Sequence, residues 1–122
     1  MKRIIKFKAK CLDNGKWVEG DIIHKNNGVY VYNPQLINKR GYSVQYIKVD
    51  PLTVCQFTGL KDKNGTPIYE EDMVIYKDNN AERRGNINWD SKATTFCFGQ
   101  DFLVNYPSEN IVVISNKFDK KK

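Results

Sequence analysis

His24 is the sole histidine of the chain. Any Ser-His-Asp or Cys-His nucleophile would have to run through it. It falls at the end of an apolar-patterned run, directly before the turn segment "KNNG", which is the place of an ordinary strand residue. Cys11, Cys55 and Cys97 are odd in number and widely spaced. That fits neither a disulfide framework nor a paired-cysteine zinc site, and they read as small apolar core residues. Glu70, Glu71 and Asp72 carry the oxygen ligands that hard divalent cations take. In an extended segment Glu70 and Asp72 would share a face. Neighbouring carboxylates with no others converging on them read as a solvated turn, so neither a metal nor a cofactor is expected. The eight glycines are scattered, one per turn or bulge, and form no phosphate-cradling loop. These residues point away from an enzyme.

Binding chemistry is better represented. The net charge of +6 is unevenly placed. Residues 1–50 hold ten Lys/Arg against four Asp/Glu, whereas residues 51–122 hold ten of each. A basic half suggests an acidic partner, nucleic acid first. Lys6, Lys8 and Lys10 recur at period two and would form a stripe on one strand face. Tyr30 and Tyr32 share a second strand face, Tyr42 and Tyr46 a third, and Lys39-Arg40 lie in the loop between them. Aromatic platforms interleaved with Lys and Arg are what single-stranded nucleic acid binding uses: phosphate neutralisation plus base stacking. The competing reading is that the tyrosines fill a sheet, as strand-favouring residues do, while the lysines keep the outer face soluble.

The elements that must position these residues are strands. "IKFKAKC" alternates Ile5, Phe7, Ala9 and Cys11 with lysines. Asn14-Gly15 turns the chain into "KWVEGDIIH", and "KNNG" turns it again into "VYVYN". "YSVQYIKV" alternates once more. Beyond Asp50-Pro51, "VCQF" is expected as a short strand ending in a Thr58-Gly59 turn. "KDKNG" follows as a dense turn, then "MVIYKD", "RGNINWD" and "IVVISNKF" as strands. "TTFCFGQDFLV" reads as one long strand with Phe96, Phe98 and Phe102 on one side. No helix beyond single turns at "DPLTV" or "YEED" is expected. About nine short strands with turns at regular spacing predict a mainly β fold of small-barrel or sandwich architecture. It divides into a basic β-rich lobe, 1–50, and a second lobe, 51–122, over one shared core or two. "NGKWVEGDI" and "NGTPIYEEDM" echo each other weakly, as two related hairpins would, or by chance. No apolar run reaches the roughly 20 residues a membrane helix needs. With no signal-peptide core at the N-terminus, the expected place is the cytoplasm.

The stretch "QFTGLKDKNGTPIYEEDMV", Gln56 to Val74, resembles the signature of the YopX family. The usual form runs Gln-Tyr-Thr-Gly-Leu-Lys-Asp-Lys-Asn-Gly, then a spacer and Ile-Tyr-Glu-Gly-Asp-Ile-Val. Gln56, Gly59, Leu60, Asp62, Asn64 and Gly65 match the first part. Ile68, Tyr69, Glu70 and Asp72 match the second. Phe57 replaces the tyrosine, and Glu71 stands where the family usually has glycine, which questions the backbone angles of that turn. "FKAKCLDNGKWVEGDI", "VDPLTVCQ" and "NIVVISNKFD" are similar to the family's start, middle and close, so the likeness runs nearly the full length. The resemblance implies a small β-rich protein carried by bacteriophages and prophages, with an SH3-like barrel as its C-terminal half. It implies no established activity. The signature residues can be wholly structural: Gly59 and Gly65 for special turn angles, Leu60, Ile68 and Tyr69 as anchors, Asp62 and Asn64 to occupy loop backbone. A binding module for nucleic acid, or for a host or phage protein or a second copy of itself, is the expected function.

Overall fold

A computed structural model describes residues 4–35, 40–41 and 46–119. Lys39, Tyr42 and the first half, 42–45, of the strand expected over 42–49 lie outside the described residues. The chain is mainly β and forms two compact units, Met1–Gln56 and Phe57–Lys122.

The first unit contains β1 (Phe7–Lys10), β2 (Trp17–Lys25), β3 (Gly28–Tyr32), β4 (Tyr46–Val49) and the start of β5 (Cys55–Lys61). They are antiparallel neighbours in the order β4-β3-β2-β1-β5. Gly15, at φ +69°, allows the turn after β1, and its N–H donates to Cys11 O at 2.8 Å. Asn26 and Asn27 make a two-residue turn that sets Lys25 opposite Gly28, Ile23 opposite Tyr30 and Asp21 opposite Tyr32. Period-two alternation then sorts the faces. Val29 and Val31 point to a core of Ala9, Val31 and Val49, joined by Val18, Ile22 and Ile47. Tyr30 and Tyr32 point the other way. Gly20 belongs to the core face, and a Cβ there would lie 2.2 Å from the carbonyl oxygen of Tyr32. Only glycine lets β2 and β3 run this close. The C-terminal end of β4 meets the chain after β1: Leu12 N donates to Lys48 O and Asp50 N, just past the strand, to Lys10 O, at 3.1 and 2.9 Å. Ile5, expected on the buried face, is 56% exposed because β1 begins only at Phe7.

In the second unit β5 continues past Gln56, and Phe57 and Lys61 pair with Tyr69 and Pro67 of β6 (Pro67–Tyr69). The expected Thr58-Gly59 turn is absent. The strand runs through it with a register shift, and Gly59 absorbs the irregularity at φ +94°. The remaining strands are β7 (Asp72–Lys77), β8 (Glu82–Asp90), β9 (Thr95–Phe98), β10 (Asp101–Phe102) and β11 (Ile111–Asn116). They form a five-stranded antiparallel sheet in the order β10-β9-β8-β7-β11. Ile68, Val74, Tyr76, Ile87, Phe98, Leu103 and Ile111 build its core. The long strand expected over "TTFCFGQDFLV" is instead a tight hairpin. Gly99 at φ +62° reverses the chain, which leaves Phe98 buried and Phe102 44% exposed. Single 3-10 turns occur at Pro51–Thr53, Leu103–Asn105 and Ser108–Asn110. Among the described residues no helix is long and apolar enough to cross a membrane.

Candidate nucleic-acid interface

The register of the first unit decides which basic and aromatic side chains share a face. Lys8 and Lys10 of β1 lie opposite Glu19 and Trp17 of β2, on the face away from the core. Their ammonium groups stand 4.5 and 5.3 Å from the centre of the Trp17 ring. On the same face of β3 and β4, Tyr32 is directly opposite Tyr46 and Tyr30 is opposite Lys48. The Tyr32 and Tyr46 ring centres are 5.5 Å apart at 53°, a tilted aromatic pair. Lys25 reaches across from β2, with Nζ 4.6 Å from the Tyr46 ring centre and 5.1 Å from that of Tyr30. This is the geometry of a cation over an aromatic face. Tyr46 is 44% exposed.

The face therefore carries Lys8, Lys10, Lys25 and Lys48 against Glu19 and Asp21. Two groupings result, Trp17 with its lysines and the tyrosine cluster with Lys25 and Lys48, and the two acids lie between them along β2. Of the residues singled out by sequence, Lys8, Lys10, Tyr30, Tyr32 and Tyr46 come together on this face. Lys6 precedes β1 and is half-buried, and Arg40 is exposed. Trp17, Lys25 and Lys48 were not legible as site residues from composition alone. The two-residue turn at Asn26-Asn27 is the signal for Lys25, because it fixes the β2–β3 register. Trp17 and Lys48 are placed by the β1–β2 and β3–β4 pairings, which that turn does not set.

The Gln56–Val74 stretch does a different job in the second unit. Asp62 is 6% exposed. Its Oδ1 accepts from Asn64 N and Thr66 N at 2.8 and 2.9 Å, and its Oδ2 accepts from Val113 N of β11 at 2.9 Å. Lys63 N donates to Ile111 O at 2.8 Å. The turn thus occupies the outer edge of β11 that would otherwise stand unpaired. Thr58 Oγ1 donates to Ile68 O at 2.8 Å, and the Phe57 and Tyr69 rings meet at 5.6 Å. Gln56 pairs with Phe7, and Gly65 takes φ +84°.

Glu70 and Asp72 do not share an extended face, because Glu70-Glu71 is the turn between β6 and β7. Asp72 points inward, 1% exposed, and accepts from Tyr69 N at 2.8 Å and from Asn116 Nδ2 at 2.9 Å. Glu71 is held at φ +66°, a left-handed angle that glycine adopts without strain. Glu71, Met73, Asn86, Ser115 and Lys117 border an open depression of about 500 Å³. Among the described residues no group of three or more His, Cys, Asp or Glu is placed to hold a metal ion.

Two further features bear on reactivity. Cys97 is 3% exposed. Burial first, then the nearby charges of Asp90 and Asp101, pushes its thiol up from the ordinary value, the opposite of an activated nucleophile. Arg83 and Tyr106 both donate to Asp101 Oδ2, at 2.8 and 2.6 Å. The Tyr106 hydroxyl, with Arg83 second, holds the Asp101 carboxyl below its usual range. The Arg83 guanidinium also lies over the Phe98 and Tyr106 rings at 5.5 and 5.4 Å. This is a clasp of β8 onto the hairpin that follows, with its charges paired.

The family model described as YopX protein matches residues 6–119. The chain belongs to the YopX family. The match spans both units of this YopX-family protein, so the aromatic-basic face and the Asp62 turn both fall inside it. No curated protein matches the chain.

Proposed function

We propose that this YopX-family protein is a non-enzymatic phage- or prophage-derived accessory module that binds nucleic acid through the outer face of β1–β4. The observation that carries this reading is the co-facial placement of four lysines with Trp17, Tyr30, Tyr32 and Tyr46. Lysine ammonium groups neutralise phosphates, and exposed ring faces stack on bases. The buried, backbone-bonded state of Asp62 and Asp72 and the raised Cys97 thiol supply no acid, base or nucleophile and support the non-enzymatic part. The turn seated along β11, and the bond at the end of β4, leave less free strand edge for partner capture by strand addition. Action in the cytoplasm, where such partners lie, belongs to the same reading. So does an SH3-like second unit, supported by five antiparallel strands around one core cluster.

The test is fluorescence anisotropy of labelled DNA and RNA at a series of salt concentrations. Four lysines at most can each neutralise one phosphate, so log K should fall with log salt at a slope no steeper than about −3 for single strands. Reversing Lys8 and Lys10 to Glu should flatten that slope. Binding with no salt dependence, or none at near-physiological salt, would remove the proposal.

A further inference from the structure

We propose that the tyrosine cluster binds single-stranded nucleic acid in a fixed orientation, with unpaired bases on Tyr32 and Tyr46 and a phosphate held by the Lys25 and Lys48 ammonium groups toward the turn end of the sheet. The inference rests on the nucleic-acid reading above and names the form of the ligand and its direction on the sheet.

Three cross-strand rows set the geometry. Asp21, Tyr32 and Tyr46 form one row, and Ile23, Tyr30 and Lys48 the next. Lys25 and Gly28 form the last, beside the turn. Asp21 therefore stands at one end of the cluster, while the Lys25 and Lys48 backbones stand toward the other. In the free protein the Lys25 ammonium reaches back to the Tyr46 ring and Lys48 lies over Gly28. Gly28 has no side chain, and the space its Cβ would take holds Lys48 Cε, 2.6 Å from that position, with Lys48 Nζ 3.4 Å from it. The Lys48 ammonium thus leans over Gly28 toward the row of Lys25. A phosphate is drawn to that end and repelled from Asp21 at the other. Bases then extend over the Tyr32–Tyr46 pair, where the partly exposed rings are available.

In the free protein the Lys25 ammonium lies over Tyr46 and the neighbouring Tyr30. An exposed ammonium–ring contact is weaker than base stacking, so a base displaces the ammonium, which moves to the phosphate. A duplex cannot use the platform. Its base faces are already stacked, and a flat sheet face does not enter a groove as a helix or a two-stranded ribbon does. It offers this surface phosphates alone.

The experiment compares an oligothymidylate of about 15 nucleotides, inside the span a small β domain covers, with a mixed-sequence duplex of equal length. The proteins are wild type, Tyr46→Leu, Tyr32→Leu and the double variant Lys25→Gln/Lys48→Gln. Tyr46 opens β4 and is partly exposed, and leucine keeps its bulk. Unchanged thermal unfolding checks the fold. The expected result is preference of wild type for the single strand. Tyr46→Leu should weaken it about tenfold with the salt slope intact and leave duplex binding unchanged. The double lysine variant should flatten the slope by about 1 for both ligands. Equal affinity for both forms, or tyrosine variants without effect where the lysine variant acts, would overturn the stacking inference and leave the phosphate reading standing. Absence of binding to either form would overturn both.

Discussion

Removing the Asp62 carboxylate should cost the second unit more than its position in a surface turn suggests. Asp62→Ala leaves Asn64 N, Thr66 N and Val113 N without their acceptor. A hydrogen bond to a charged group contributes about 1.5–3 kcal/mol net. Asn64 and Thr66 are exposed, so water recovers most of their share. Val113 N is part-buried on the edge of β11 and recovers less. The expected loss is about 2–4 kcal/mol, set by the Val113 bond and the loosened turn. Asp62→Asn is the sharper variant. Both carboxylate oxygens accept, so either orientation of an amide turns a donor toward at least one backbone N–H. Asparagine should therefore lose at least about 1.5 kcal/mol although its shape is conserved. Urea unfolding reads this through Trp89, which becomes the sole tryptophan after Trp17→Phe. At an m-value of about 1.3 kcal/mol per molar, Asp62→Ala should lower the midpoint by roughly 1.5–3 M with m unchanged. Faster hydrogen exchange at the Val113 amide is the local signature. Full rescue by asparagine, or a shift under about 0.5 kcal/mol for alanine, would refute the argument that this carboxylate holds the edge.

Three further outcomes follow from particular backbone and charge states. Glu71→Gly should be more stable than Glu71→Ala by about 1 kcal/mol, since both lose the side chain but only glycine takes φ +66° without strain; equal denaturation midpoints would remove the strain argument. Gly20→Ala should destabilise the first unit by about 3 kcal/mol or prevent its folding, because the new Cβ meets the Tyr32 carbonyl rather than a flexible side chain; a near-neutral effect on far-UV circular dichroism melts would contradict the close approach of β2 and β3. The Asp101 carboxyl is held below its ordinary value of 3.8, chiefly by the Tyr106 hydroxyl and then by Arg83. Its contribution is present above that value and is lost as pH falls through the lower folded-state value. Asp101→Asn should therefore flatten the acid side of the stability curve below about pH 4, and an unchanged acid profile would show that the clasp is not felt.

The sequence by itself determined the class of fold and the parity of the faces. Alternation in "KFKAK" and "VYVY", punctuated by Asn-Gly and Asn-Asn turns, leaves little besides antiparallel strands. The Gln56–Val74 signature identified the family, and its Asp62 and Asn64 behave as turn chemistry requires. The lysines of β1 and the tyrosines of β3 were legible as candidates because side-chain period is a local property.

Only the tertiary structure decided which of them meet. Lys25 and Lys48 join Tyr30 and Tyr46 through register across three strands, and register depends on turn length and on a buried opposite face. The break of "TTFCFGQDFLV" at Gly99 was hidden for a related reason. A glycine inside an apolar run is compatible with a bulge or a reversal, and the burial of Phe98 beside a solvent-facing Phe102 settles which occurs. Asp62 reaches Val113 across 51 residues, and Asp72 reaches Asn116 across 44. No local pattern encodes such a bond, because it forms only once two distant strands are placed and their backbone donors and side-chain amides need acceptors away from water.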